Sequence, residues 1–402
     1  MIIESLLDTD LYKLTVQRVF LHHFTNFDAT YEFKCRNDDV IFTEEMVKDI
    51  NEELDHVSTL RFKQDELEYI KNIYYMKDAN WYIEFLRNFQ LNRDYLTGTL
   101  EKGKLSITAK GPIWQVMMWE IYVLSIVNEI YFRYITENLD QDTLIEHGLM
   151  RWESQIKTAE NLLYPFKFAD FGTRRRYSKV WQRTLLEKTK NRNYRETDAT
   201  GNFVFTGTSN VLFAKELGLT PIGTFGHEFV MACQGFDDVP IAKSQSKAFQ
   251  LWQEEYDGAL GICLSDTLGL DKFRKDFTRT YCKLFDGVRH DSGDPFIFAN
   301  EIIKIYENYK IDPLSKTIVF SDGLDFEKAK ELMFHCYGRI NCSFGIGTKF
   351  TNNFGSMLTP LNIVMKMTEC NGHPVAKLSD SPGKLMCGDE DYVNYLNYVI
   401  KQ

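Results

Sequence analysis

From about residue 165 onward the chain repeats one pattern. A short apolar run closes on small and polar residues, and a helix-like stretch follows. Pro221–Thr224 runs into Gly226-His227-Glu228, and Ala259–Leu264 into Ser265-Asp266-Thr267. Lys283–Val288 runs into Arg289-His290-Asp291-Ser292-Gly293-Asp294-Pro295. Thr317–Phe320 leads to Ser321-Asp322-Gly323, and Cys342–Phe344 to Gly345-Ile346-Gly347-Thr348. Runs of this length, a few dozen residues apart, predict βα units and a parallel sheet. A doubly wound sheet gathers its polar strand ends at one crevice, whereas an α/β barrel distributes them around a rim. Here they are spread over five runs, which predicts an α/β barrel.

Before this region the pattern differs. Residues 1–113 are helix-rich, with strands expected at Ala29–Cys35 and Lys104–Lys110 and amphipathic helices near 43–55 and 64–73. They read as an N-terminal α/β domain, followed by a barrel over 114–354. Residues 355–402 form a C-terminal segment whose strands, Thr359–Met367 and Pro374–Leu378, return to the N-terminal domain. The apolar stretch Ile113–Phe132 is about long enough to cross a bilayer, but Glu120 and Glu129 would be costly in hydrocarbon. It is expected to be a long helix buried between domains or subunits.

Composition narrows the function classes. The chain has 402 residues, 44% hydrophobic and 26% charged, with 30 Phe, 21 Tyr and 6 Trp, enough apolar area for a large core. Its net charge of −10 argues against a nucleic acid backbone as partner, so any anion site must be local. The eight cysteines include no CxxC pair, and the histidines at 22, 23, 56, 147, 290, 335 and 373 form no HxxxH signature, so no metal site is expected. Met1-Ile2-Ile3-Glu4 has no basic stretch before an apolar run, so no secretory leader is predicted. A cytoplasmic protein with free thiols and no membrane partner is the expectation.

Several strand ends carry candidate chemistry. Asp322 and Gly323 in one turn, and Gly345, Gly347 and Thr348 in another, allow backbone N–H groups to approach an anion, as a monophosphate cradle requires. Arg289 can meet phosphate or carboxylate oxygens in a bidentate way. Asp291 on the same loop can bind sugar hydroxyls, hold magnesium or stabilise a ribose cation. In Ala169-Asp170-Phe171-Gly172-Thr173-Arg174-Arg175-Arg176, consecutive arginines at a helix start point about 100° apart, so at most two can face one ligand. The others should reach the surface or a neighbouring chain. Phe171 could stack on a flat ring. His227, beside Glu228 at a strand end, is a tunable nucleophile or a buried structural histidine.

The blocks DTDLYKLT, FGTRRRYS, TGTSNVLFAKELG, PIGTFGHE, VRHDSGDP, VFSDGLD and FGIGTKFTN occur here in this order. Through them the chain resembles nicotinate phosphoribosyltransferases over nearly its whole length, in particular the bacterial and fungal branch that couples transfer to ATP hydrolysis. The resemblance implies an irregular α/β barrel with an N-terminal α/β sandwich-like domain. It implies nicotinate, phosphoribosyl pyrophosphate and ATP as substrates, with Mg2+ accompanying the pyrophosphate and ATP. His227 falls at the histidine that ATP phosphorylates, and Arg289 and Asp291 where the pyridine and ribose are contacted. Gly323, Gly347 and Thr348 fall at the 5′-phosphate. Phe171 and Tyr12 occupy places where relatives sandwich the pyridine, the tyrosine coming from the partner chain, which implies a homodimer with shared sites. Arg174 matches an arginine in contact with phosphate or substrate, with Arg175 and Arg176 as further candidates.

Two other readings compete. Nicotinamide phosphoribosyltransferases have Gly-Thr-Asp where this chain has Gly207-Thr208-Ser209. Ser209 can donate to a carboxylate, whereas an aspartate would repel it, so nicotinate is the expected substrate. A catalytically dead barrel that binds phosphometabolites is the other; it need not keep His227, Arg289, Asp291 and both glycine turns.

Overall fold

The computed structural model describes residues 1–160, 162, 164–196, 203–378 and 389–402. The N-terminal part contributes three strands, β1 (Asp28–Cys35), β2 (Leu96–Glu101) and β3 (Lys104–Pro112). In β3 the residues Leu105, Ile107 and Ala109 alternate inward and the residues between them face outward or to the rim, as a half-buried strand requires. The predicted helices appear as Glu44–Thr59 and Gln64–Asn72. Helix Leu11–His23 precedes them and is buried along most of its length.

Six strands then form a parallel sheet: β4 (Phe166–Asp170), β5 (Phe203–Thr208), β6 (Ile262–Leu264), β7 (Gly287–His290), β8 (Thr317–Phe320) and β9 (Asn341–Ile346). Their order is β5-β4-β9-β8-β7-β6. Beyond β5, Thr208 makes an isolated parallel bridge to Pro221. From there the chain runs to His227, whose ring reaches Asp266 just after β6. Among the described residues the ring is therefore joined at this gap by side chains rather than by a backbone ladder, an irregular form of barrel.

The return strands β10 (Ile363–Cys370) and β11 (His373–Pro374) complete an antiparallel sheet in the order β11-β10-β1-β3-β2. Three expected strands differ from those observed. Pro221–Thr224 makes only the single bridge, and the ladder is formed by Phe203–Thr208 instead. Proline has no N–H to donate there. Lys283 lies in helix Arg279–Leu284, and the following strand starts at Gly287. Of Pro374–Leu378, only Pro374 is in a strand.

The expected buried helix is Trp119–Ile135, after a short turn of helix at Ile113–Val116. It packs on helix Glu44–Thr59, on β10 and on the turn Thr173–Arg175, between the two sheets. Glu129 is satisfied by Arg133 (2.8 Å) and the Lys179 N–H (2.8 Å). Among the described residues no helix is long and apolar enough to cross a membrane. One contiguous core runs from Ile2 to Val375, joining both sheets.

Candidate active site

Parallel strands bring their C-terminal ends to one rim, and the rim gathers residues far apart in the chain. The His227 Nε2 lies 2.8 Å from Asp266 Oδ1 and 3.6 Å from Asp291 Oδ2. The other oxygen of Asp266 accepts from Ser292 Oγ (2.6 Å) and Lys377 Nζ (2.7 Å). Asp291 Oδ1 accepts from Ser321 Oγ (2.8 Å), and its Oδ2 stands 4.0 Å from Arg289 Nη2. Burial, with Lys377 nearby, pushes the His227 imidazole down to about 4, so the ring is neutral near pH 7. Burial works against ionisation of Asp266, but His227 and Lys377 hold its carboxyl well below the usual range. For Asp291 burial is likewise overcome, by Arg289, His227 and Lys377, leaving its carboxyl at about 2. An ionised Asp266 can only accept, so the neutral ring donates from Nε2 and keeps the Nδ1 lone pair free.

Phe171 follows β4, and its N–H donates to the Ile346 carbonyl (3.0 Å). A Cβ on Gly345 would fall 2.3 Å from the Phe171 ring, so Gly345 is the floor on which that ring rests. Its glycine is thus required by the aromatic ring, a role the expected phosphate turn did not include. Gly347 precedes the short helix Thr348–Thr351. Gly323 has φ +58, and a Cβ there would meet nothing within 4 Å, leaving clearance beside Asp322 for a ligand.

The residues after β5 are committed inward. Thr208 Oγ1 donates to Asp170 (2.7 Å), whose carboxyl is raised to about 6 by burial. Ser209 Oγ donates to Asp10 (2.7 Å), and both residues are buried. Neither hydroxyl proton is left for a substrate carboxylate in this arrangement.

The three arginines have three different environments. Arg176, one of the candidate contacts, faces neither a ligand nor the surface: it is fully buried and forms a bidentate pair with Asp8 (2.7 and 2.8 Å). Arg175 Nε donates to the Ile363 carbonyl (3.0 Å). Arg174 is the most open, 42% exposed, with its Nη1 3.5 Å from Glu120. A 3₁₀ turn over Thr173–Arg175, rather than an α-helix start, separates them.

Tyr12, expected to reach the neighbour's site, is held by its own chain. Its hydroxyl donates to Glu120 (2.9 Å), and a Cβ on Gly226, the residue before His227, would lie 3.0 Å from its ring. Hydrogen bonds from the Leu11 N–H to the Ser209 carbonyl (2.8 Å) and from Ser209 to Asp10 fasten this segment to its own barrel. Beside it Lys13, with no exposure, bridges Glu120 (2.6 Å) and Glu228 (2.7 Å), and the Tyr31 hydroxyl completes Glu228 (2.6 Å).

Sequence motifs missed Arg36, Lys366 and Lys377, which join the expected Arg175 and Arg289 in one set of cations. Lys366 is pushed down to about 8 by burial, then by Lys377 and Arg36. Arg175 is lowered to about 10 by burial, then by Arg174 and Arg36. Buried nitrogens of Arg36 (Nη2) and Arg289 (Nε) have no hydrogen-bond partner. These residues come from four separate places, the end of β1 (Arg36), the turn after β4 (Arg174 and Arg175), β7 (Arg289), and β10 with the residues after it (Lys366, Lys377), and share no common motif.

The profile of the nicotinate phosphoribosyltransferase (NAPRTase) family matches residues 166–402, and that of the NAPRTase N-terminal domain matches residues 7–128. The chain belongs to this family. A nicotinate phosphoribosyltransferase of Acinetobacter baylyi is 45% identical over 412 residues, covering 100% of this chain and 97% of the relative. One of Chromobacterium violaceum is 44% identical over 408 residues, with the same coverage. Among solved structures, nicotinate phosphoribosyltransferase from Vibrio cholerae superposes with a TM-score of 0.91 at 33% identity, covering 100% of this chain and 94% of that one. The enzyme from Porphyromonas gingivalis gives 0.86 at 32% identity, with both chains fully covered. The NAPRTase family accounts for the two-sheet α/β architecture: an antiparallel sheet at the N-terminal side and a parallel sheet whose strand ends carry Arg289 and Asp291, with His227 at the start of a helix facing them.

Proposed function

We propose that this chain transfers phosphoribosyl from phosphoribosyl pyrophosphate to the ring nitrogen of nicotinate. The products are nicotinate mononucleotide and pyrophosphate, and transfer is coupled to ATP hydrolysis through a phosphohistidine at His227, opening NAD salvage from nicotinate. The observation that carries this reading is one rim with a neutral histidine, an ionised Asp291 and a surplus of cations drawn from β7, β10 and the turns after β1 and β4.

In the proposed sequence the Nδ1 lone pair of His227 attacks the γ-phosphorus of ATP; the N–P bond forms as the bond to the ADP oxygen breaks. Asp266 holds the ring through Nε2–H and offsets the positive charge the ring gains. Arg289 aims the pyridine carboxylate, and Asp291 faces the positive charge that develops on the ribose. Phe171 offers a face for the ring, and Gly323, Gly347 and Thr348 line the 5′-phosphate. Arg36, Arg174, Arg175, Lys366 and Lys377 suit the pyrophosphate. Mg2+ fits the donor set, since the ionised carboxylate of Asp291 offers hard oxygen ligands at the rim; it would neutralise pyrophosphate charge.

Nicotinate rather than nicotinamide fits the surplus of cations and Ser209, since an aspartate there would face the buried Asp10. The assembly proposed is a homodimer with shared sites, located in the cytoplasm. Tyr12, hydrogen-bonded to Glu120 of its own chain and partly exposed, is proposed as the residue shared with the partner's site. The domain division proposed remains 1–113, 114–354 and 355–402, with the last segment entering the first sheet through β10 and β11.

Purified protein with labelled nicotinate and phosphoribosyl pyrophosphate should form the mononucleotide faster with ATP than without. His227→Ala should abolish ATP hydrolysis and the ATP stimulation while leaving slow ATP-independent transfer. Equal acid-labile labelling of wild type and variant by γ-labelled ATP would remove His227 from the reaction. Turnover of nicotinamide at the same kcat/KM would remove the acid specificity.

A further inference from the structure

The far end of helix Leu11–His23 carries a second cluster of ligating groups, outside the rim. His22 Nδ1 lies 2.7 Å from Glu255 Oε2, and His23 Nε2 lies 3.6 Å from the same oxygen. One ligand atom from each of the three residues lies within 4.8 Å of the others. Adjacent residues of a helix point about 100° apart, so two consecutive histidines seldom share a target. Here their rings stand 4.7 Å apart, tilted by 30°, and converge on one carboxylate. His23 Nε2 is buried and has no hydrogen-bond partner. Glu255 is 2% exposed at its side chain, and its other oxygen, Oε1, accepts from Arg18 Nε (2.5 Å), which also donates from Nη2 to the Glu255 carbonyl (3.2 Å). Arg18 thus fixes the carboxylate and leaves Oε2 to the histidines.

We propose that His22, His23 and Glu255 form a binding site for a divalent transition metal of the zinc or nickel type. Two imidazole nitrogens with one carboxylate oxygen suit zinc, nickel and copper rather than magnesium or calcium, which prefer oxygen alone. With metal–ligand distances of about 2.0–2.1 Å, the donors of a tetrahedral zinc stand roughly 3.3 Å apart. The 2.7 Å and 3.6 Å separations straddle that spacing and all three donors lie within 4.8 Å of one another, so side-chain rotations that draw the two imidazoles together close the site. A metal on His22 Nδ1 would displace any proton that nitrogen shares with Glu255, so binding is favoured as pH rises. Water fills the remaining positions on the open side, where His22 is 61% exposed. Glu255 belongs to helix Ser244–Tyr256, so a bound ion would clamp that helix to the one that carries Tyr12 and Lys13.

Trp81 supplies a reporter, since its ring centroid is 5.9 Å from that of His22. The test titrates the full-length, metal-stripped protein with zinc chloride by calorimetry and with nickel chloride by fluorescence. The expected result is one ion per chain, a rise in melting temperature with zinc and quenching by nickel that is absent in Trp81→Phe. His22→Gln and His23→Gln should each weaken binding by about tenfold or more, while His373→Gln, which removes a surface histidine paired only with Asp237, should leave it unchanged. Glu255→Gln serves as a third probe, with folding checked by circular dichroism. No saturable binding, or binding unchanged in the His22 and His23 variants, would overturn the proposal. Transfer activity at the rim is read separately, so failure of this site leaves the proposed function untouched, and the reverse.

Discussion

Two almost inaccessible lysines show how differently this molecule treats buried charge. Lys13, 0% exposed, lies between Glu120 and Glu228; Tyr12 shares its Glu120 oxygen, and the remaining oxygens are met by Arg174 and Tyr31. Lys377, 3% exposed, has among the described residues one carboxylate partner, Asp266, and shares its surroundings with Lys366. In the first region each charge has an opposite charge built into the chain. In the second, cations outnumber anions and lower one another's proton affinity. A buried charge without a partner costs several kcal/mol, so an imbalance persists where a ligand is to supply the missing charge. Arg176 and Arg175 repeat the contrast one residue apart: the first is neutralised by a bidentate pair with Asp8, whereas for the second burial and the neighbouring Arg174 and Arg36 outweigh the pull of Asp291 and Glu120.

The contrast breaks most sharply at Lys13. Lys13→Met would leave Glu120 and Glu228 facing each other without their cation, and is expected to destabilise the fold by about 3–5 kcal/mol. Adding Glu228→Gln should restore part of that. Urea unfolding checks both, and a Lys13→Met protein as stable as wild type would end the distinction between the two regions.

The mouth should respond in the opposite sense. Lys366→Met is expected to raise the KM for phosphoribosyl pyrophosphate about tenfold, equivalent to about 1.4 kcal/mol, with stability unchanged or increased. The folded value of about 8 lies below the ordinary lysine value of 10.5. The charged form is therefore disfavoured by folding below pH 8, and this cost fades as pH rises from about 8 toward 10.5, where the unfolded chain holds the proton longer. In the free enzyme, affinity for the substrate should fall as pH passes 8, and the Met variant should lose that step. Pulsed binding measurements from pH 7 to 9 check it.

A finer division concerns Tyr12, which stands between the two regions. Tyr12→Phe keeps the ring against Gly226 and removes one hydrogen bond to Glu120, a loss of about 1 kcal/mol of stability. The KM for nicotinate should change little if the hydroxyl belongs to the Lys13 region alone. A rise in KM without loss of melting temperature would assign Tyr12 to the mouth.

Much of the parallel sheet was legible because its strands are short apolar runs with polar ends. β8 was predicted residue for residue, and the strand ends with His227, Arg289, Asp291 and Ser321 did converge. The roles read from single glycines and hydroxyls transferred less well. Gly345 supports Phe171, and Thr208 and Ser209 give their protons to Asp170 and Asp10. A turn motif records that a small or polar residue is needed, but not which neighbour needs it.

The order of apolar and polar positions determined the βα repeat, the buried helix Trp119–Ile135 and the blocks that mark the family. Those features are local, because periodicity and turn chemistry act over a few residues. Tertiary structure alone decided that Asp266 would orient His227, that Arg176 would pair with Asp8, and that Glu255 would meet His22 and His23. Each of these contacts joins residues 39 to 233 positions apart. Pairing at that range depends on how the sheets stack and which strand ends share a rim, and a burial-driven core fixes this only once the chain has folded.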